Sequence, residues 1–135
     1  MRALILVALA LSLATPASAY TLDRRLTVTP GQGTDFTVNY RLGASLSDYW
    51  CAAGRYARAT LGAENRTRVY RMSPPPQRRG ESISFTLDPS KSAGETGFTT
   101  FGGKQDGGLS ANTAVAQNCY NKHIRNSGLG FRSEG

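Results

Sequence analysis

Cys119 and His123 stand four residues apart, a spacing that brings two side chains together on one face of a helix. A thiol beside an imidazole is the minimal pair for nucleophilic catalysis, with the imidazole taking the proton from the sulfur. His123 is the only histidine, and Cys51 is the only other cysteine. If the two cysteines are joined to each other, the nucleophile is gone. No third group at a recognisable spacing orients the imidazole. A histidine near a helix C-terminus is also favoured by charge alone. As metal ligands, Cys51, Cys119 and His123 are one short of a structural zinc set and lack the C-x2-C pairs such sites use.

The acids offer little more. Asp23, Asp35, Asp48, Glu64, Glu81, Asp88, Glu95, Asp106 and Glu134 are scattered along the chain. Asp48 reads as a helix-start residue and Asp88 as a turn residue ending a strand, and spacing brings out no general acid–base pair. The run Gly102-Gly103-Lys104-Gln105-Asp106-Gly107-Gly108 lacks the order of a phosphate loop and reads as a surface loop. No motif calls for a cofactor.

Arginine is the strongest lead. Arg66, Arg68, Arg71, Arg78 and Arg79 fall within 14 residues, around Tyr70 and the tip Pro74-Pro75-Pro76. Guanidinium forks bind carboxylate and phosphate bidentately, so these six side chains, Tyr70 included, form the candidate anion- or partner-binding set. Arg55 and Arg58 lie together on the polar face of a helix. The chain carries 16 Lys and Arg against 9 Asp and Glu, a net charge of +7, which favours anionic partners. The competing reading is a solvated basic surface with local salt bridges.

The compartment bears on who that partner is. Arg2, the apolar run Ala3–Ala14, the break at Thr15-Pro16 and the small-x-small site Ala17-Ser18-Ala19 read as a signal peptide over residues 1–19, cut before Tyr20. The run is shorter than the roughly 20 residues a spanning helix needs. The expected location is therefore periplasmic or secreted. Export disfavours nucleic acid and leaves an anionic envelope polymer, a membrane surface or an acidic protein. In such a compartment two cysteines favour a Cys51–Cys119 disulfide over redox or metal work.

These residues need elements to hold them. Leu26–Thr29 and Phe36–Arg41 alternate around the turn Pro30–Thr34, which predicts a hairpin with one buried face. Ser45 with Asp48 three positions on opens a helix, and Gly62 suits its end. Its apolar side is Leu46, Tyr49, Trp50, Ala53, Tyr56, Ala57, Thr60 and Leu61. Cys51 lies off that side, so a bond to Cys119 carries the second helix across the flank of the first, where Ala52, Gly54 and Ala59 allow close approach. A second hairpin pairs Thr67–Met72 with Ile83–Leu87, its Pro/Arg tip at Pro74–Gly80. Residues 89–109 read as a Gly-rich loop. A helix from about Ser110 to Ile124 follows, with Leu109, Val115, Ala116, Cys119, Tyr120, His123 and Ile124 on one side. Residues 126–135 read as a frayed tail. The order predicts a single α+β domain over 20–135: an antiparallel sheet of about four strands in two hairpins, one helix on its face, and a C-terminal helix joined to that helix by the disulfide.

The run Asp48–Ala57 with its Tyr-Trp-Cys core, together with Arg68-Val69-Tyr70-Arg71 and Ser84–Pro89, resembles a family of small exported bacterial proteins that carry an aromatic-Trp-Cys helix and a second cysteine near the C-terminus, matched here by Cys119. The resemblance implies bacterial export and paired cysteines, and it assigns no catalytic residue. The leading expectation is a non-enzymatic module whose Arg-rich hairpin contacts an anionic envelope partner. The alternatives are a thiol enzyme or redox protein using Cys119 with His123, and a structural subunit of an envelope complex.

Overall fold

The computed structural model describes residues 20–23, 26–99 and 105–126, with side chains over 26–99 and 105–119. The segment 1–19, expected to be a signal peptide, the middle of the Gly-rich loop and residues 127–135 of the expected tail lie outside the described residues, and so do the side chains of Tyr120, His123 and Ile124.

Among the described residues six antiparallel strands form one sheet: β1 (Tyr20–Asp23), β2 (Leu26–Pro30), β3 (Phe36–Val38), β4 (Arg68–Arg71), β5 (Ile83–Thr86) and β6 (Gly108–Ser110). Their order across the sheet is β1-β2-β3-β5-β4-β6. The two expected hairpins are its centre, joined where β3 pairs with β5 at Phe36↔Phe85 and Val38↔Ile83. Two short edge strands extend the predicted four. One of them, β6, occupies the end of the stretch read as a loop and pairs Leu109 with Val69.

Period-2 alternation sets the faces. Leu26, Val28, Phe36, Val38, Val69, Ile83 and Phe85 are buried in one core. The residues between them (Thr27, Thr29, Thr37, Ser84) are polar. On that polar face the Thr37 and Ser84 hydroxyls lie 2.9 Å apart in a hydrogen bond across the β3–β5 seam.

Helix α1 (Leu46–Ala59) covers the apolar face. Its start is the expected capping box: Ser45 N–H donates to Asp48 Oδ2 at 2.9 Å, and Asp48 N–H donates to Ser45 Oγ at 3.3 Å. Past its end, Gly62 at φ +68° turns the chain so that Ala63 N–H reaches Ala57 O. Trp50 meets Phe85 edge-on with centroids 4.9 Å apart, and Tyr56 packs on Phe36 at 4.6 Å.

Helix α2 (Ala111–Asn126) starts where Ser110 Oγ accepts from Thr113 N–H. Cys51 and Cys119 are bonded, with Cα atoms 5.0 Å apart. The flank contact is very close: a Cβ placed on Gly54 would come within 2.8 Å of Ala114 Cβ. The expected inward side of α2 is corrected in one respect. Ala111, Ala114, Asn118 and Cys119 are buried, whereas Val115 is partly exposed and Ala116 exposed. At Gly54 the two helices leave no room for a Cβ, with Val115 Cγ2 also within 3.1 Å of that point.

Part of the Gly-rich stretch is a strap. Asp88 caps a short 3-10 turn (Pro89–Lys91), Ala93 N–H donates to Arg71 O, and Phe98 packs near Trp50 with centroids 6.4 Å apart. No helix among the described residues is long and apolar enough to cross a membrane.

Candidate functional site

The hairpin β4–β5 does not gather its arginines on one face. A strand rises about 3.3 Å per residue, so Arg66 and Arg68 sit at one end of β4 and the tip at the other. Each arginine meets a different environment.

Arg66 is exposed in the bend before β4, where Thr67 N–H donates to Glu64 O. Arg68 is engaged. Its Nη2 donates to Asp106 Oδ1 at 2.5 Å and to Gly108 O at 2.8 Å, and its guanidinium lies 5.8 Å from the centroid of the Tyr70 ring. Burial pushes the Asp106 carboxyl up, but the Arg68 guanidinium and the Gly108 N–H together hold it below the usual carboxylate range. Tyr70 is buried; Gly108, its partner on β6, sits so close that a Cβ there would meet the ring at 2.7 Å. Tyr70 thus seals the β4–β6 seam.

Arg71 departs most from the expected surface set. Two residues after Val69, it falls on the core face and is 1% exposed. Its Nε donates to Ser73 O at 2.6 Å and its Nη1 to Thr96 O at 3.2 Å. Trp50 Nε1 donates to the same Thr96 carbonyl at 3.2 Å. Burial lowers the guanidinium's pKa, and the Glu95 carboxylate opposes that. Arg71 therefore fastens the strap over Trp50 and cannot meet an outside ligand.

Arg78 and Arg79 are exposed, and among the described residues neither is in a salt bridge. The turn beneath them is held by its own bonds. Gln77 Nε2 donates to Glu81 O, Arg78 N–H donates to Glu81 Oε2, Glu81 N–H returns to Arg78 O, and Gly80 takes φ +86°. The Pro75–Pro76 peptide is cis. Beside the tip lies an open groove of about 590 Å³ lined by Ser73, Pro74, Pro75, Pro76, Arg78, Glu81 and Ser82.

A neighbouring turn was not foreseen as part of this end. Ser82 Oγ accepts from Tyr40 N–H at 2.9 Å, which sets the turn Arg41–Ala44 beside the tip. Leu42 in that turn is 75% exposed, the one exposed large hydrophobic among the described residues. Its sequence signal was faint: a lone leucine before a glycine, between a strand and a helix start.

The remaining candidates resolve separately. Cys119 is spent in the disulfide, and the His123 side chain lies outside the described residues. Asp35 accepts from Lys91 Nζ at 2.8 Å and from Thr86 Oγ1 at 2.7 Å, which lowers its pKa, and Asp88 accepts from Ser90 N–H. Among the described residues no group of three His, Cys, Asp or Glu side chains is placed to hold a metal ion. Compared with known proteins, the chain matches no family model, no curated protein and no solved structure.

Proposed function

We propose that this chain is an exported, non-enzymatic binding module that takes an anionic partner at the β4–β5 tip. The observation that carries the reading is the pair Arg78 and Arg79: two exposed guanidinium groups outside any salt bridge among the described residues, beside a groove, on a turn braced from within. Arg68 and Arg71 belong to the fold in this reading, and Arg66 adds only distant charge. The bond to Cys51 keeps the Cys119 sulfur from acting as a thiolate, which weighs against the thiol-enzyme alternative. A disulfide also suits an oxidising compartment.

The test is retention on immobilised dextran sulfate across a salt series. Exposed charge pairs are screened over about 8 Å at physiological ionic strength, so retention should fall steeply as salt rises. Arg78→Gln with Arg79→Gln should abolish it, and Arg66→Gln should leave most of it. Retention that ignores salt, or survives the double substitution, overturns the reading.

A further inference from the structure

We propose that the anionic partner is a lipid surface, met by two loop tips at once: the arginines of the β4–β5 turn at the phosphate level, and Leu42 inserted between headgroups. The inference rests on the binding reading above and adds to it the partner's class and a second contact element.

A single exposed leucine is ordinary by itself. The position of this one is informative. Strands β3 and β5 are antiparallel neighbours in register at Val38↔Ile83, so the chain leaving β3 and the chain entering β5 share one end of the sheet. The Tyr40–Ser82 bond fixes that adjacency. Two residues further on stands Leu42; three residues back from Ser82 stands Arg79. The Leu42 turn is anchored rather than loose: Arg41 N–H donates to Tyr49 Oη at 3.2 Å on α1, Ala44 N–H donates to Arg41 O, and Gly43 takes φ +83°. Arg41 is also exposed at this end, along with Pro74 and Pro76. The one carboxylate lining the groove, Glu81, already accepts from the Arg78 backbone.

Charge complementarity selects anionic over neutral surfaces. The shortage of apolar area selects a membrane over a folded protein. A stable protein interface buries about 800 Å² on each partner around a packed apolar centre. Here one leucine and a few prolines project from two turns. That is too little for a packed protein interface, but it suits a plane of phosphates into which a single aliphatic side chain can sink.

The test is co-sedimentation of the full exported chain with vesicles of phosphatidylglycerol and phosphatidylcholine, against vesicles of phosphatidylcholine alone, with immobilised dextran sulfate and polyglutamate as lipid-free probes. Binding is expected to the anionic vesicles only. Leu42→Ser should weaken it about tenfold while leaving dextran sulfate retention and thermal stability unchanged. Arg78→Gln with Arg79→Gln should abolish dextran sulfate retention and weaken the vesicle affinity by about 25-fold, near fivefold per arginine. Vesicle binding indifferent to Leu42→Ser overturns the proposal. So does retention on dextran sulfate or polyglutamate without vesicle binding, which leaves the arginine tip standing as a site for a polymer or an acidic protein. Failure to bind any probe overturns both readings together.

Discussion

The two ends of β4 carry the same residue type in opposite circumstances. At the start of the strand, Arg68 is locked to Asp106 and Gly108, with β6 and α2 closed over that side. Beyond its end, Arg78 and Arg79 stand in solvent on a turn stiffened by backbone and Glu81 bonds, and Arg71 between them faces the core. Arginine density therefore says little about a binding surface until each guanidinium has been followed to what it touches. The closed end uses arginine as a fastener, while the open end leaves it available.

That contrast can be broken from the closed side first. Cys51→Ala with Cys119→Ala releases α2 from α1 and frees a loop closed by a sequence separation of 68 residues. Unfolding in urea should show a loss of about 4 kcal/mol by the chain-entropy relation. Arg71→Ala removes a buried side chain and two charged hydrogen bonds at once, and thermal denaturation should report a loss of about 3 kcal/mol. If Arg71→Ala were as mild as a surface change, Arg71 would belong with the tip arginines after all.

Asp106→Asn tests the fastener at a half-exposed site, and its cost should be about 1 kcal/mol near neutral pH. The sign follows from the lowered Asp106 pKa. The stabilising ion pair is complete above about pH 4 and is lost as pH falls through the depressed value, so the gap between the two proteins should close in acid. Unfolding at pH 6 and pH 3 checks this. Smallest of all, Arg78→Gln with Arg79→Gln should change stability by no more than about 0.5 kcal/mol while removing polyanion retention. A stability loss of the size given for Arg71 would mean that the tip, too, is built on its arginines.

Much of this frame was readable from residue order. The bond from Cys51 to Cys119 followed from a count of two cysteines, while the Ser45–Asp48 box and the alternating Ile83–Phe85 and Phe36–Val38 strands follow local rules that the tertiary structure respects. Gly54 was legible for the same reason, since a helix flank without a Cβ marks close approach. The short edge strand β6 was hidden because three residues beginning with glycine carry no periodicity, and only pairing with Val69 and Tyr70 makes them a strand. Arg71 was misplaced although its signal was present. Val69 faces in, so the residue two further on faces in as well, but a cluster of charge drew attention away from the alternation. Leu42 carried no local pattern; its meaning lies in a neighbour 40 residues away in the chain, Ser82.

The disulfide has a topological consequence at the tip. It closes a covalent ring that runs through β4, β5, the strap and β6, and the Arg78–Arg79 peptide bond is one link of that ring. A trypsin-like protease cutting at this exposed dibasic site would open the ring without releasing a fragment. The nicked chain would migrate as one species on a non-reducing gel and as two after reduction. The exposed tip is thus also a place where the backbone can be severed and the two halves stay joined.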